Sequence, residues 1–312
     1  MSSEPYPYVP VAPESFGAPI KGPRALTDDW TRFWHLTYNI ARNEFKLKFF
    51  GSMLGYVWQV MRPLLLFLVL YTFFVVIGHV GKGGKPGEVN YGVQLLGSIV
   101  LFGFFQEATT GAVRSVVDRE NLVRKIQFPR LVIPLSITLL SFFNLMLNLL
   151  VVLIFALAAG IRPMFSWLEL PLILVMLAVL STGVAMLLSA LFVKFRDIQP
   201  IWEVFSQMLF YASPVIIAGE VVSEKLINRP AQKPTPLHIP DHQLLFHIYT
   251  LNPMVAILQQ FRHAMINHNV LSAGELLGSW GALALPIGVT AGAFAVGFWY
   301  FNRSAPYVAE NL

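Results

Sequence analysis

Charge is absent from six long stretches of this chain, residues 63–81, 89–106, 131–161, 170–193, 204–219 and 276–302. A helix needs about 20 apolar residues to cross the hydrocarbon of a bilayer. Four of the stretches reach or nearly reach that length alone. The second extends to Val113 if Glu107 is accepted within it, and the fifth reaches back to Ile198 past Glu203. The third holds one tilted span and an interfacial turn, but not two spans. Six spans is the simplest count, at about residues 60–81, 91–113, 131–159, 170–193, 198–218 and 276–301. The pattern predicts an all-α membrane protein whose six-span domain fills residues 51–312.

Residues 27–50 predict a different kind of helix. At 100° per residue Arg32, His35, Asn39, Arg42, Asn43 and Lys46 share a polar arc of about 100°. Aromatic and aliphatic residues (Trp30, Phe33, Trp34, Leu36, Tyr38, Ile40, Ala41, Phe45) fill the rest. Asp28 and Asp29 suit its positive N-terminal end. A basic, aromatic-rich helix ahead of the first span reads as lying in the headgroup layer. Residues 1–25, with six prolines and no apolar run, read as a disordered tail and not as a signal peptide. Residues 220–275 hold apolar pieces too short to span, interrupted by Pro240 and Pro253. Re-entrant outer gate helices and a simple surface loop both fit them.

Composition agrees with the pattern. Hydrophobic residues make up 55% of the 312 and charged residues 12%, with a mean hydropathy of +0.61. Ordinary soluble domains carry about a quarter charged residues. A soluble enzyme, a disordered chain and a nucleic-acid module are excluded. The net charge of +5 matters less than its placement. With six spans, one side of the membrane receives 15 of the 22 lysines and arginines, which makes both termini cytoplasmic. The absence of cysteine removes disulfides, thiolate metal sites and a cysteine nucleophile.

Candidate chemistry is sparse. The glycine cluster from Gly81 to Gly87 lacks the spacing and hydroxyl of a nucleotide-binding loop, so the chain is expected to hydrolyse no nucleotide itself. Asp118, Asp197 and Asp241 lie far apart, which leaves a metal-dependent sugar transferase unsupported. His238, Asp241, His242 and His247 crowd together, but their spacing matches no closed metal site, and no metal is expected. Glu107 and Glu203 intrude on spans, and such acids face a cavity or a partner. Pairing that holds the bundle and handling of substrate are equally open for them. A proton-coupled carrier needs acids or histidines near the midplane, and the long spans have none. Aromatics inside spans suit a sliding sugar polymer as well as ordinary packing and interface belts. Gly288-x-x-x-Gly292 permits close helix approach, expected within the subunit. Residues 114–130 are amphipathic, and Val116, Val117, Leu122, Val123 and Ile126 suit either docking on a partner or a plain basic loop.

Five ordered motifs go further. The stretch from Arg42 through Gly51, Ser52, Gly55 and Trp58 to Pro63 comes first, followed by Glu120 through Phe128-Pro129-Arg130 to Pro134. Phe195-Arg196-Asp197-Ile198, Ser213-Pro214-Val215 and Asn252-Pro253-Met254 with Arg262 complete the series. Together they resemble type-2 ABC permeases that export polysaccharides such as O-antigen, teichoic acid, capsule and cell-wall galactan. The resemblance covers about residues 30–305 and implies a homodimer carrying two copies of a separate ABC ATPase, with ATP and magnesium bound there and no cofactor on this chain. It implies that residues 115–127 form a coupling helix, with Val117, Asp118, Arg119, Glu120, Asn121, Leu122, Arg124 and Lys125 facing the ATPase beside Arg196 and Asp197. It places the path along spans one, two and five, with Trp58, Tyr71, Phe74, Phe102, Phe105, Phe210 and Tyr211 as channel candidates. The cargo it implies is a polyprenyl-pyrophosphate-linked glycan in a bacterial cytoplasmic membrane, its head met by Arg42, Lys46 and Lys48. The proline-rich tail and the long outer segment depart from the family pattern. A permease for small lipids or drugs shares this fold; a proton-coupled carrier, a membrane glycosyltransferase and a scaffold without transport are the remaining alternatives.

Overall fold

A computed structural model describes residues 30–49, 53–78, 90–123, 128–222, 242–266 and 270–304. The expected tail, Asp28-Asp29, the glycine cluster 81–87, Arg124, Lys125, Ile126, His238 and Asp241 lie outside the described residues. Among the described residues every regular element is helical. Helix α1 is Trp30–Phe49, α2 is Met53–Tyr71 and α3 is Tyr91–Val113. Two single turns, α4 (Ser115–Asp118) and α5 (Glu120–Val123), lead to α6 (Val132–Ala158), α7 (Leu170–Lys194) and α8 (Ile198–Ala212). The order closes with α9 (His242–Leu251), α10 (Pro253–Met265), α11 (Ala273–Leu276) and α12 (Ala284–Ser304).

Among the described residues five helical stretches are long and apolar enough to cross a bilayer: Gly55–Ile77, Tyr91–Val113, Val132–Ala158, Phe165–Lys194 and Gly281–Ser304. They match the first four expected spans and the last. The expected fifth differs. Its helix, α8, has 15 residues, about 22 Å at 1.5 Å per residue. It ends because Pro214 biases the residue before it away from helical geometry, and Ser213 is extended (φ −102°, ψ 157°). The chain nevertheless runs antiparallel beside α3. Trp202 Nε1 donates to Thr109 Oγ1 at 3.1 Å, Phe210 packs edge-on against Phe102, and past the helix end the Ile216 carbonyl accepts the Tyr91 hydroxyl at 2.8 Å.

The bundle is built around α3, which has 72% of its most apolar window buried, against 6% for α2. Helix α2 therefore presents most of its surface to whatever surrounds this chain. The larger apolar cluster runs the length of the bundle, and a smaller one lies at one of its two ends. There Phe33, Val116, Leu131, Ile133, Met186, Ala190 and Phe301 join α1, the turns after α3, and the last turns of α7 and α12. This end carries the basic segments. At the other, Gly97 lies under the Phe261 ring, where an added Cβ would come within 2.3 Å of it, and Ser166 Oγ donates to the Ala264 carbonyl. Hydroxyls inside the helices bond back to the preceding turn, as Thr138 to Pro134, Ser181 to Leu177 and Thr290 to Pro286. These hydroxyls are thereby satisfied within their own helix, whereas Gln94 Nε2 and Ser98 Oγ of α3 are buried without a hydrogen-bond partner among the described residues.

The expected close approach at Gly288 and Gly292 is not found among the described residues, since a Cβ at either would meet none of them within 4 Å. The contact is made instead by Gly183 of α7 and Gly297 of α12, where a Cβ on Gly297 would lie 2.0 Å from the Gly183 carbonyl oxygen. Pro286, Thr290, Gly297 and Phe301 form the buried stripe of α12, and that stripe, not the glycine spacing, decides which face packs. Helix α1 keeps its expected polar arc exposed. It buries Phe33, Thr37 and Ala41, and leaves Trp30, Trp34 and Tyr38 as an exposed aromatic flank. Such a flank suits a headgroup layer.

Candidate functional site

Between α2, α3, α6 and α8 lies an open cavity of about 710 Å³, within the 300–1,000 Å³ usual for ligand sites. Its lining changes along its length. Toward the basic end it presents Gln59, Arg62, Gln106, Glu107, Thr110 and Glu203. Midway come Gly103, Asn148, Ser206 and Gln207, and toward the far end Leu66, Ile99, Val100, Phe210 and Tyr211. The helix directions produce this order. α2 and α8 run away from the basic end while α3 runs toward it, so early residues of two helices meet late residues of the third. Pro63 also lines the cavity. Having no N–H, it leaves the Gln59 carbonyl, one turn earlier, without its intrahelical donor. Amides and hydroxyls beside aromatic faces are suited to hydroxyl-rich ligands.

The expected channel aromatics divide. Phe102, Phe210 and Tyr211 line the cavity, although Phe102 is fully buried with its ring against Phe210 (centroids 5.2 Å). Phe105 is buried against Trp202. Tyr71 packs on Phe67 and against Gly92, which seals α2 to α3. Phe74 is half-buried beside Phe73, and Trp58 is exposed on the outer surface of α2. The polar lining residues Gln59, Arg62, Gln106, Asn148, Ser206 and Gln207 were not expected from sequence. Their signal was present as amides recurring within otherwise apolar spans.

Both intramembrane acids face this cavity. Glu107 Oε1 accepts from Lys48 Nζ at 2.9 Å and from Asn144 Nδ2 at 2.7 Å, so the α3 carboxylate is tied to α1 and α6 together. Glu203 accepts from Gln199 one turn earlier at 3.0 Å. Arg114, just past the end of α3, approaches Asp118 at 3.8 Å. Of the expected headgroup cations, Arg42 and Lys46 are exposed on the polar arc of α1, while Lys48 holds Glu107.

Over its described residues, 115–123, the expected coupling helix 115–127 is two turns with a break. Arg119 leaves helical geometry (φ −113°, ψ 33°) between α4 and α5 and pairs with Glu44 of α1. Val117, Asp118, Glu120, Asn121 and Leu122 sit on these turns, all at least partly exposed, and Arg196 and Asp197 are exposed on the neighbouring α7–α8 turn. Arg130, just before α6, is enclosed to 1% exposure, and its Nε and Nη1 find no hydrogen-bond partner among the described residues. Burial pushes its guanidinium pKa down.

At the opposite end α10 is packed on nearly all sides. Asn252 caps it by accepting from Met254 N and donates to Ser213 Oγ at 2.9 Å, which brings two of the sequence landmarks into contact. Arg262 is fully buried. It donates to Gln259 Oε1 at 3.1 Å and Glu220 Oε2 at 3.2 Å, and Glu220 Oε1 accepts from Gln259 Nε2 and Leu271 N. His263 Nδ1 lies 2.7 Å from the Val270 carbonyl. Among the described residues no group of metal-ligating side chains gathers.

Long apolar helices around a graded polar cavity, with charged turns at one end, define a polytopic membrane transporter. The comparisons agree. The profile of the family described as ABC-2 type transporter matches residues 35–226. Over 229 residues the chain is 26% identical to "O-antigen export system permease protein RfbA" of Klebsiella pneumoniae, covering 73% of this chain and 79% of the relative. Over 242 residues it is 24% identical to a protein of the same description from Myxococcus xanthus, covering 78% and 84%. The chain belongs to the ABC-2 type transporter family, and its likeness is to O-antigen export permeases.

Proposed function

We propose that this chain is the membrane subunit of an ATP-driven exporter that carries a polyprenyl-pyrophosphate-linked polysaccharide across the bacterial cytoplasmic membrane. The carrying observation is the graded cavity, charged at its basic end, amide-rich in the middle and aromatic toward the far end. A headgroup is met by charge, and a glycan slides on amides and rings. The chain crosses six times, α8 with residues 213–218 making the fifth passage, and both termini lie in the cytoplasm. The arrangement of α8 along α3 supports the count, and the 15 basic residues support the orientation. Two copies pair through α2 and the exposed apolar stripe of α8, Ile201, Val204, Phe205, Met208 and Tyr211. Each copy receives one ABC ATPase on the α4–α5 turns and the Arg196-Asp197 turn, and α9 and α10 serve as the outer gate.

Depletion of the chain in its host tests this reading. Lipid-linked glycan then accumulates on the inner leaflet, inaccessible to an externally added glycan-binding protein. A cell that still displays its full-length glycan outside refutes the cargo assignment.

A further inference from the structure

Helix α1 places charge on its packed face. Phe33, Thr37, Ala41, Glu44 and Lys48 fall within an arc of about 80° at 100° per residue. The first three are buried against the bundle. The last two are fastened. Glu44 pairs with Arg119 at the break between α4 and α5, and Arg119 Nη1 also reaches Ser136 Oγ of α6 at 3.5 Å. Lys48, one turn on, holds Glu107 at the cavity wall at 2.9 Å. Between them Phe45 is wedged edge-on between Phe143 of α6 and Tyr56 of α2. A helix is stiff along its axis, so a displacement of Glu44 reaches Lys48, about 6 Å further along.

We propose that α1 is a crossbar that couples the position of the α4–α5 turns to the opening of the cavity at Glu107, with Arg119–Glu44 and Lys48–Glu107 as its two fastenings. The inference rests on the ATP-driven reading above, which supplies the force on the turns. The two pairs have different tasks. Arg119 and Glu44 are 17% and 27% exposed, so separating them would strand poorly solvated charge. Lys48 and Glu107 are 39% and 34% exposed, so water replaces the partner at small cost. The inner pair holds and the mouth pair releases. Asn144 then keeps Glu107 anchored to α6 while Lys48 departs with α1. Arg119, Glu44, Lys48 and Glu107 are positioning residues and need touch no cargo.

The chain has no cysteine, so a single Gln207→Cys reporter in the cavity is the one site on this chain that reacts with a membrane-impermeant maleimide, and its labelling is read on this chain's band. The measurement is its labelling rate in the complex of this chain with its ABC ATPase, with and without ATP. The expected result is an ATP-dependent change in the reporter protein that is lost in Glu44→Ala, where ATP hydrolysis and complex assembly persist, and lost also in Arg119→Ala. The charge exchange Glu44→Arg with Arg119→Glu restores it. Glu107→Gln brings the rate without ATP to the level seen with ATP. A change that persists in Glu44→Ala and Arg119→Ala overturns the crossbar, as does an assembled exchange variant that stays unresponsive. If ATP leaves the reporter protein itself unchanged, the ATP-driven reading fails and the crossbar falls with it.

Discussion

The buried ion pair at the far end predicts an asymmetry between its two partners. Arg262 is 1% exposed, whereas the Glu220 side chain is 19% exposed. Burial pushes the arginine pKa down, and Glu220 opposes that shift. Glu220→Ala leaves a guanidinium enclosed with, among the described residues, only the Gln259 side-chain carbonyl as an acceptor and no partner for its Nε. Stranding a buried charge costs about 3–5 kcal/mol. Arg262→Met leaves a carboxylate that still accepts from Gln259 Nε2 at 2.9 Å and Leu271 N at 3.2 Å and touches solvent, while methionine refills the volume. That change should cost about 1–2 kcal/mol, the range for hydrogen bonds lost with their remaining partners still satisfied. At about 2 °C per kcal/mol for a chain of this size, apparent melting midpoints fall by about 6–10 °C for Glu220→Ala and about 2–4 °C for Arg262→Met. Monodisperse protein remaining after heating in detergent, measured by size exclusion, reads both. Equal losses, or a larger loss for Arg262→Met, would refute the reasoning.

Other substitutions probe separate links. Gly297→Ala must push α12 from α7, because its Cβ would sit 2.0 Å from the Gly183 oxygen; overpacking of this kind costs about 1–3 kcal/mol. The same assay should rank it well below Gly288→Ala, whose site is open within the chain. Glu275 caps α11 by accepting from Ser272 N and Oγ at 2.7 and 2.9 Å, which holds its carboxyl below the usual carboxylate range. A depressed folded pKa means that this stabilisation is present above the unfolded value, about 4.3, and is lost as pH falls through the folded one. The difference in melting midpoint between the parent and Glu275→Gln should therefore shrink as pH drops from 6 toward 3, as pH-stepped melts will show.

Much of the fold was legible in the sequence because hydrocarbon leaves few options. Long uncharged runs can only be helices there, and the exposed polar arc of α1 followed from its 3.6-residue period. The failures are tertiary. Gly288 and Gly292 carry the right spacing for close packing, but which side of α12 meets α7 depends on Pro286, Thr290 and Phe301 as well. The short α8 was hidden because Pro214 stops the helix while the apolar run continues through Val215, Ile216 and Ile217. Of the site, the two carboxylates and three of the aromatics were identifiable one by one. The amides were not, since an isolated Gln207 or Asn148 gives no sign of the cavity until antiparallel helices align it with Gln59 and Gln106. Lys48 was read as a headgroup cation because its partner, Glu107, lies 59 positions away.

Transport through the cavity is the central claim. Sealed vesicles carrying this chain and its ABC ATPase, loaded with lipid-linked glycan in the ATP-facing leaflet, test it by the appearance of glycan on the opposite side. Glycan should appear in an ATP-dependent way with the parent and not at all with Ser206→Trp, whose indole fills the middle of the cavity, with ATP hydrolysis continuing in both. Glycan that crosses without ATP, or crosses at the parent rate in Ser206→Trp, would contradict it.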